Sequence, residues 1–328
     1  MPVVSVLLPY HRVTPFLRPA VESILGQTLR DLELILVDNG TGGGRDVLGE
    51  AGRDPRVRLI AFDTNRGGAA ALNAARAQAR GEYFAHMDSD DIALPTRLER
   101  QVAVLRAEPG LGLLSTHALV IDEAGAVTGS QFTLASEREE RIFSAYSLPI
   151  TNPTVMGPRA VFERFPMRGE FLVSADYDFF ARVIESHPCR CLPEPLLHYR
   201  THPGQVTLSR RNLMILNACL IRLLTARRRA GRPEDFGALL DAHRAWLAEP
   251  PPAAICYGHF AGLALAERFD VLAIFLARRR VAAERRWSVL GAATGMLCRA
   301  LARPAADRAR LLRMFFTGPV RAHGLRPL

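Results

Sequence analysis

The chain has 328 residues, 48% of them hydrophobic, and carries a formal net charge of +9 at pH 7. This length and composition predict a packed globular protein with a substantial core, and they exclude an intrinsically disordered chain. All 42 basic residues are arginines, and the five cysteines have neither zinc spacing nor the even number of a disulfide framework.

The basic residues are concentrated in the C-terminal third. Residues 1–206 hold 21 arginines against 25 acidic residues, whereas residues 207–328 hold 21 arginines against only 8 acidic residues. This excess predicts an anionic partner, either lipid headgroups or a phosphorylated acceptor, and it does not favour nucleic acid. No signal-peptide pattern opens the sequence, and charged residues interrupt the apolar run 253–277. We expect a cytoplasmic protein, with peripheral contact at the inner face of the plasma membrane as an open alternative.

Strand and helix patterns alternate through the first hundred residues. Four strands are predicted in this part. A continuous apolar run predicts a buried strand at Val3–Pro9, and Leu32–Val37 predicts a second buried strand, followed by strands at Arg56–Ala61 and Glu82–Met87. Helical spacing predicts helices over Pro15–Gln27 and Gly67–Arg80, and a further helix starting near Pro95. This alternation is typical of a mostly parallel, doubly wound α/β sheet flanked by helices.

The later pattern is mixed and then helical. Three short strands are predicted at Leu111–Leu114, Ala118–Ile121 and Leu196–Tyr199, with helices at Glu139–Ser147 and Ala175–Ser186. Four more helices are predicted at Leu213–Arg229, Ala238–Leu247, Ile255–Arg280 and Trp287–Ala302. We therefore divide the chain into an α/β domain of residues 1–209 and a helical, arginine-rich C-terminal extension of residues 210–328.

The most informative local feature is the acidic turn Asp88-Ser89-Asp90-Asp91, directly after the fourth predicted strand. Three carboxylates this close repel one another unless a cation lies among them. Few, closely spaced oxygen ligands suit Mg²⁺ or Mn²⁺ shared with a substrate phosphate. The alternative is a solvated acidic turn that precedes the helix near Pro95.

Polar residues also follow the first two strands. Pro9-Tyr10-His11 ends the first strand and Asp38 ends the second. Because ligands of such sheets bind at the carboxyl ends of the strands, we expect these residues and the acidic turn to line one cleft.

Other nucleotide and hydrolase signatures are absent from the sequence. The glycine cluster Gly40–Gly44 follows the second strand and has Arg45 where the dinucleotide fingerprint requires glycine. A P-loop, an HExxH zinc motif and a Gly-x-Ser-x-Gly motif do not occur.

Three further residues carry chemistry in the second half of the α/β domain. Asp176 at a predicted helix start is either a general base for a hydroxyl nucleophile or a carboxylate placed by the helix dipole. His202 follows a strand and could bind a metal or a diphosphate, or have no role. Arg200 could bind a phosphate with its guanidinium fork.

Taken in order, these residues resemble glycosyltransferase family 2, whose members are inverting enzymes with the GT-A fold. The resemblance covers approximately residues 2–209 and rests on an ordered series of motifs. The motifs are Val4–Arg12, Ser23–Thr28, Leu34–Thr41, Asn65–Asn73, Arg80–Tyr83, Met87–Asp91, Leu94–Gln101, Asn152–Met156, Ala175–Asp178 and Tyr199–Gly204. Each motif is weakly specific alone, whereas the ordered series is strongly specific.

The resemblance implies roles for the matching residues. Asp176 matches the catalytic base, Asp90 would hold the metal, and His202 matches a position near the metal or diphosphate. Nucleotide-sugar contacts are implied for Pro9, His11, Asp38, Asn65, Asn73, Asp88, Ser89 and Arg200. The implied cofactor is Mn²⁺ or Mg²⁺. The implied partners are a nucleotide-sugar donor, with a UDP-sugar preferred, and a saccharide or lipid-linked acceptor.

Three positions depart from the family pattern. Asn39 stands where a second aspartate is usual, which is compatible with nucleotide contact because Asp38 remains. Leu72 stands where many members carry arginine, so one diphosphate contact is missing or supplied elsewhere. Ala175 replaces the common glutamate before the base, which concerns acceptor positioning more than proton abstraction.

The expected function is metal-dependent, inverting sugar transfer in bacterial cell-surface polysaccharide or glycolipid synthesis. Two alternatives remain open: a sugar-nucleotide nucleotidyltransferase, and a non-catalytic nucleotide-sugar-binding protein. The first would have a glycine-rich loop where Tyr10–Thr14 has no glycine. The second does not explain why all four key carboxylates are present, at Asp38, Asp88, Asp90 and Asp176.

Overall fold

The computed structural model describes residues 1–131, 150–206 and 210–267. These residues form two compact units, the first ending at Gln205 and the second beginning at Val206. The predicted boundary at residue 209 lies outside the described residues, as do the predicted helices Glu139–Ser147 and Trp287–Ala302 and the end of Ile255–Arg280.

The first unit is built on one mixed sheet. Its nine described strands are β1 (Val4–Tyr10), β2 (Leu32–Asn39), β3 (Val57–Phe62), β4 (Tyr83–His86), β5 (Ile92–Ala93), β6 (Leu113–Ile121), β7 (Val127–Gln131), β8 (Met156–Pro158) and β9 (Cys189–Arg200). The strand order is β3-β2-β1-β4-β8-β6-β9-β5, and β7 pairs with β6 outside this path. The half from β3 to β4 is parallel, whereas β8 is antiparallel to both of its neighbours.

Six described helices accompany the sheet. They are α1 (Leu17–Leu25), α2 (Gly44–Leu48), α3 (Gly68–Gln78), α4 (Arg97–Ala107), α5 (Arg159–Arg164) and α6 (Ala175–Val183), with 3₁₀ turns at Ala51–Arg53 and Asn152–Thr154. The core lies between this sheet and its helices: Val4, Val6 and Leu8 of β1 are fully buried, and Leu17 and Ile24 of α1 belong to the same cluster. Burial on both faces explains the apolar sequences of β1 and β2, whereas β3 is only half-buried.

The sheet differs from its prediction in its second half. The two strands predicted at Leu111–Leu114 and Ala118–Ile121 form the single strand β6. Polar residues Ser115, Thr116 and His117 interrupt the apolar pattern, but they pair with β9 through two register shifts. Strands β5, β7 and β8 were not predicted because they are short and two of them contain glycine or proline.

The second unit is helical over its described residues. Its helices are α7 (Arg211–Arg229), α8 (Phe236–Ala242), α9 (Arg244–Ala248) and α10 (Ala253–Ala266), so the helix predicted at Ala238–Leu247 is divided at His243. A cavity of about 510 Å³ lies among Arg227, Leu239, His243, Trp246 and His259. Among the described residues, no helix combines the length and hydropathy needed to cross a membrane.

Candidate functional site

The carboxyl ends of three parallel strands bring the predicted site residues to one edge of the sheet. β1 lies between β2 and β4, and Tyr10 of β1 is in register with Asp38 of β2. The acidic turn follows β4 directly, since that strand ends at His86. Pro9, His11 and Asp38 therefore share an edge with the acidic turn, as the sequence predicts.

Asp38 is fixed by the turn that follows β2. Its side chain is buried, and its Oδ1 accepts a 2.7 Å hydrogen bond from the Thr41 N–H. Gly40, at φ +84°, lies so close to the next loop that a Cβ there would approach the Asn65 nitrogen to 2.3 Å. Burial and the Asp38 carboxylate together raise the pKa of Tyr10. This end of the cleft is rigid and negatively charged.

Asn39 holds the loop that leads into α3. Its amide donates to Asn65 Oδ1 at 3.1 Å, and its Oδ1 accepts from the Arg66 N–H at 2.8 Å. Asn65 itself is exposed and also accepts from the Gly67 N–H. Asn39, which stands where a second aspartate is usual in the family, thus holds the loop in place through its side-chain amide. Contact between Asn65 and the nucleotide stays a prediction.

Asn73 is held by a backbone segment. Its amide nitrogen donates to the Met167 carbonyl at 2.8 Å, and its Oδ1 accepts from the Met167 N–H at 3.0 Å. This pairing fixes the segment that precedes α6. A direct contact between Asn73 and the donor stays a prediction, as does that of the half-buried Ser89.

The three carboxylates of the acidic turn have different environments. Asp88 Oδ1 accepts a hydrogen bond from the Asn152 amide at 3.1 Å. Asp91 is fully buried, and its Oδ1 accepts from the Arg200 N–H at 2.8 Å while its Oδ2 has no hydrogen-bond partner among the described residues. Burial raises the pKa of both side chains, and the Asp90 carboxylate raises each further. Neither a solvated turn nor three equivalent ligands describes this arrangement.

A buried arginine that the sequence analysis did not single out lies beneath the turn. Arg97, at the start of α4, is fully buried and donates to the His86 carbonyl at 2.9 Å and to Gln101 at 3.1 Å. Burial lowers the pKa of Arg97 to about 10, and the charges of Asp91 and Asp88 oppose that shift. Its charge therefore offsets part of the repulsion among the carboxylates.

Asp90 and His202 form the best candidate pair for a divalent cation. Asp90 Oδ2 lies 2.9 Å from His202 Nε2, and the two side chains are 24% and 12% exposed. The two side chains are hydrogen-bonded to each other at this distance. Two ligands at right angles about 2.1 Å from an octahedrally coordinated ion lie about 3.0 Å apart, so an ion could bind both atoms without a large movement. No set of three or more His, Cys, Asp or Glu side chains converges within the described part of the chain. The pair would therefore need further ligands from substrate or water.

Arg200 has a structural use that the sequence analysis did not anticipate. Its side chain is 6% exposed and donates from Nε to the Asp90 carbonyl at 2.9 Å and from Nη1 to the Asp122 and Glu123 carbonyls. The guanidinium also lies over the Phe16 ring, 4.6 Å from its centroid. Arg200 thereby fixes the acidic turn, and phosphate binding by its fork stays a prediction.

Asp176 lies at the first turn of α6, close enough to Asp88 for its charge to raise the pKa of that residue. Its Oδ1 accepts a 2.9 Å hydrogen bond from the Tyr177 N–H. Burial raises the pKa of Asp176, and backbone N–H groups oppose that shift only in part. Ser174, just before the helix, has a left-handed conformation with φ +66°. The backbone is thus strained where the candidate base is positioned.

Two more residues of the site escaped the sequence analysis. Asn152 donates to Asp88, and His86 lies 2.9 Å from the Asn152 Oδ1 through its Nδ1. Asn152 was noted only as part of a motif, and His86 only as part of an apolar strand. No sequence motif marks either residue, because the contact between His86 and Asn152 forms only when β4 pairs with β8.

Comparisons with known proteins relate the sequence to glycosyltransferases. The sequence matches the model of Glycosyl transferase family 2 over residues 5–168. An uncharacterised glycosyltransferase of Methanocaldococcus jannaschii is 31% identical over 217 residues, which cover 64% of this chain and 74% of that protein. The succinoglycan biosynthesis protein ExoO of Rhizobium meliloti is 30% identical, with 63% of this chain and 62% of that protein covered.

Solved structures share the fold at low sequence identity. S. aureus TarS 1–349 in complex with UDP-GlcNAc has a TM-score of 0.62 and 16% identity, with 97% of this chain and 92% of that chain covered. The mannosyltransferase PcManGT of Pyrobaculum calidifontis, in complex with GDP-Man and Mn²⁺, has a TM-score of 0.52 and 18% identity over 98% of this chain and 87% of that chain. The predicted GT-A fold is thereby confirmed. Because the family model covers half of its residues, the chain belongs to glycosyl transferase family 2.

Proposed function

We propose that this glycosyltransferase moves a sugar from a nucleoside-diphosphate donor to a hydroxyl of a saccharide or lipid-linked acceptor, with inversion at the anomeric carbon. The observation that carries the proposal is the proximity of Asp176 to Asp88, whose charges interact at the carboxyl edge of the sheet. Single displacement requires a base beside the bound donor, because the acceptor hydroxyl must lose its proton as the new bond forms.

Asp176 is the proposed base. The Tyr177 N–H holds its Oδ1, which orients the carboxylate and leaves the second oxygen to take the acceptor proton. Burial raises the pKa of Asp176 and so makes it a better proton acceptor than an exposed aspartate. The strained Ser174 fixes the residue at which α6 begins, and thereby the position of the Asp176 carboxylate.

Asp90 and His202 are the proposed protein ligands of Mn²⁺ or Mg²⁺. A cation held there would offset the charge that develops on the leaving diphosphate. Arg200 holds the Asp90 backbone, and its N–H holds Asp91, so the ligand-bearing turn is positioned before any ion binds. The PcManGT complex contains Mn²⁺, which supports the use of a divalent cation.

The donor is proposed to lie along the ends of β1, β2 and β4. Asp38 with Pro9 and His11 would face the base, and Asp88 the ribose. TarS binds UDP-GlcNAc and PcManGT binds GDP-Man, which supports a nucleotide-sugar donor. We favour a UDP-sugar, and the succinoglycan role in the name of ExoO supports cell-surface polysaccharide synthesis.

Peripheral contact with an anionic membrane remains part of the proposal for a lipid-linked acceptor. Two arginines of the second unit form ion pairs within the protein and are therefore not available to bind lipid headgroups. Arg227 pairs with Glu267 at 2.6 Å, and Arg228 pairs with Glu234. The arginine runs at 278–280 and 285–286 lie outside the described residues. Any such contact would depend mainly on residues after 267, which include 13 arginines and three acidic residues.

The assignment of the base is tested by Asp176→Asn. We expect the rate of sugar transfer to fall by about 10²- to about 10⁴-fold, which is the usual contribution of a general base. Binding of the nucleoside diphosphate, measured by calorimetry, should stay close to that of the wild type. Near wild-type transfer by a variant that binds donor normally would refute the assignment.

The metal ligands are tested by Asp90→Ala and His202→Ala. In the wild type, Mn²⁺ should strengthen binding of the nucleoside diphosphate, and EDTA should reverse the effect. Each variant should lose most of this metal dependence, because one of two protein ligands is gone. Exposed Glu22, which lies on α1, provides Glu22→Ala as a matched carboxylate control. Unchanged metal dependence in Asp90→Ala would exclude it as a ligand.

A further inference from the structure

A chain of hydrogen bonds runs from a buried cation to Asp88. Arg76 Nη2 lies 3.2 Å from His86 Nε2, His86 Nδ1 lies 2.9 Å from Asn152 Oδ1, and Asn152 Nδ2 lies 3.1 Å from Asp88 Oδ1. Arg76 is 6% exposed and His86 is fully buried. Arg76 and His86 therefore lie inside the protein, and the half-buried Asn152 and Asp88 bring the chain to the cleft.

The direction of every hydrogen bond in this chain is fixed by its Arg76 end. A guanidinium can only donate, whatever the protonation state of Asp88. Arg76 must therefore donate to His86 Nε2, which places the imidazole proton on Nδ1. That N–H donates to Asn152 Oδ1, so the amide must present its nitrogen to Asp88. Burial and the Arg76 charge lower the pKa of His86 to about 3, consistent with a neutral ring that carries one proton.

Packing and a backbone hydrogen bond hold the side chains of Arg76 and His86 in place. The His86 ring packs edge-on against Phe162 at 5.3 Å, and the Arg76 guanidinium lies 4.5 Å from the Phe179 centroid. The His86 N–H donates to the Val155 carbonyl at 2.9 Å, which ties β4 to the 3₁₀ turn that carries Asn152. The neutral amide nitrogen of Asn152 thus meets Asp88 Oδ1 at a fixed position.

We propose that Asn152 and His86 are positioning residues for donor binding: Asn152 engages Asp88 Oδ1 and leaves the other oxygen for the donor, and His86 fixes the Asn152 amide in the required orientation. Neither residue touches the reacting atoms. The inference rests on the proposed function, in which the bound donor is the partner of Asp88 in the cleft.

The first test is Asn152→Leu, which keeps the side-chain volume but removes the donor to Asp88. The probe is whichever of UDP, GDP or dTDP with Mn²⁺ raises the wild-type melting temperature most. We expect its dissociation constant to rise by about tenfold or more, because Asp88 would no longer be held in the orientation in which it contacts the donor. The kcat for donor hydrolysis at saturating donor should change by less than about threefold.

The second test separates positioning from packing at His86. An asparagine reproduces the Nδ1 donor of histidine, whereas phenylalanine keeps the ring and removes both nitrogens. We expect His86→Asn to bind the nucleoside diphosphate within about threefold of wild type and His86→Phe to bind at least about tenfold more weakly. A role in packing alone would give the opposite order, because phenylalanine preserves the contacts with Phe162.

Asn217→Leu is the matched control, since Asn217 is a buried asparagine of the second unit. It should leave the dissociation constant unchanged whatever it does to stability. If the wild type binds none of the three nucleotides, the proposed function fails. If the wild type binds but Asn152→Leu binds equally well, the positioning role is refuted while the proposed function stands. Equal affinity of His86→Asn and His86→Phe would remove His86 from the proposal.

Discussion

Asp176 combines two environments that act on its pKa in opposite directions. Burial favours the neutral carboxyl, whereas the first turn of α6 offers backbone N–H groups that favour the carboxylate. Burial has the larger effect, so the pKa of Asp176 lies above that of an ordinary aspartate.

This shift predicts the acid limb of the pH profile. The base must be ionised, so kcat/KM should fall as the pH drops through the raised pKa of Asp176, above the usual value of about 3.9. The measurement is kcat/KM for donor consumption from about pH 4 to about pH 9, with folding monitored by circular dichroism. Asp176→Glu should keep an acid limb at a reduced rate. A profile that stays flat to about pH 4 while the protein remains folded would contradict the prediction.

Individual residues also show where sequence reasoning reached its limit. Asp38, Asp88 and Asp90 were predicted because each follows an apolar run that a buried parallel strand produces. Arg97 was not, because arginine in a helix normally indicates an exposed face, and only the fold shows that this one is buried beneath carboxylates. Roles in the donor site for all of these residues remain predictions.

At the scale of elements, the start of α6 decides where Asp176 lies. Ser174 adopts a left-handed conformation that costs a residue with a Cβ roughly 1–2 kcal/mol. Its backbone carbonyl accepts the Asp178 N–H at 3.2 Å, so the conformation is part of the helix start.

Substitutions at Ser174 should therefore separate by backbone preference. Ser174→Val should lower the free energy of unfolding by about 1–3 kcal/mol, because a β-branched residue is strained at positive φ. Ser174→Gly, the matched control, should preserve stability or raise it by up to about 1 kcal/mol. Chemical denaturation measures both values. A valine variant as stable as the glycine variant would show that the left-handed conformation is not required.

The elements that sequence reasoning missed share physical causes. Strand β7 is polar and mostly exposed, so it lacks an apolar alternation, and β8 has only three residues. The long strand β9 was predicted only at its apolar end because Pro193 and Pro195 interrupt its beginning. Parallel strands buried on both faces, by contrast, were found within one or two residues of their observed ends.

At the scale of the whole molecule, positive charge accumulates towards the C-terminus. The described residues of the second unit include eight arginines and five acidic residues. The residues after 267 include 13 arginines and three acidic residues. Each basic residue near an anionic surface contributes about 1 kcal/mol at low salt.

This distribution predicts salt-dependent membrane binding. The full chain should co-sediment with vesicles containing phosphatidylserine at low ionic strength, and the bound fraction should fall steeply as salt is raised, since exposed charges are screened. Neutral phosphatidylcholine vesicles are the control. Absence of co-sedimentation at low salt would end the proposal of membrane contact without affecting the assignment of the active site.

The position of Gln205 has a practical consequence for recombining this chain with others. Gln205 is the last residue of the first unit, and its amide donates to the Arg200 carbonyl at 2.6 Å. The segment between them carries His202, whose ring contacts Asp90. A chimera joined at the end of β9 would therefore discard a candidate metal ligand, although every strand would be intact. Junctions that exchange the C-terminal unit should be placed beyond Gln205.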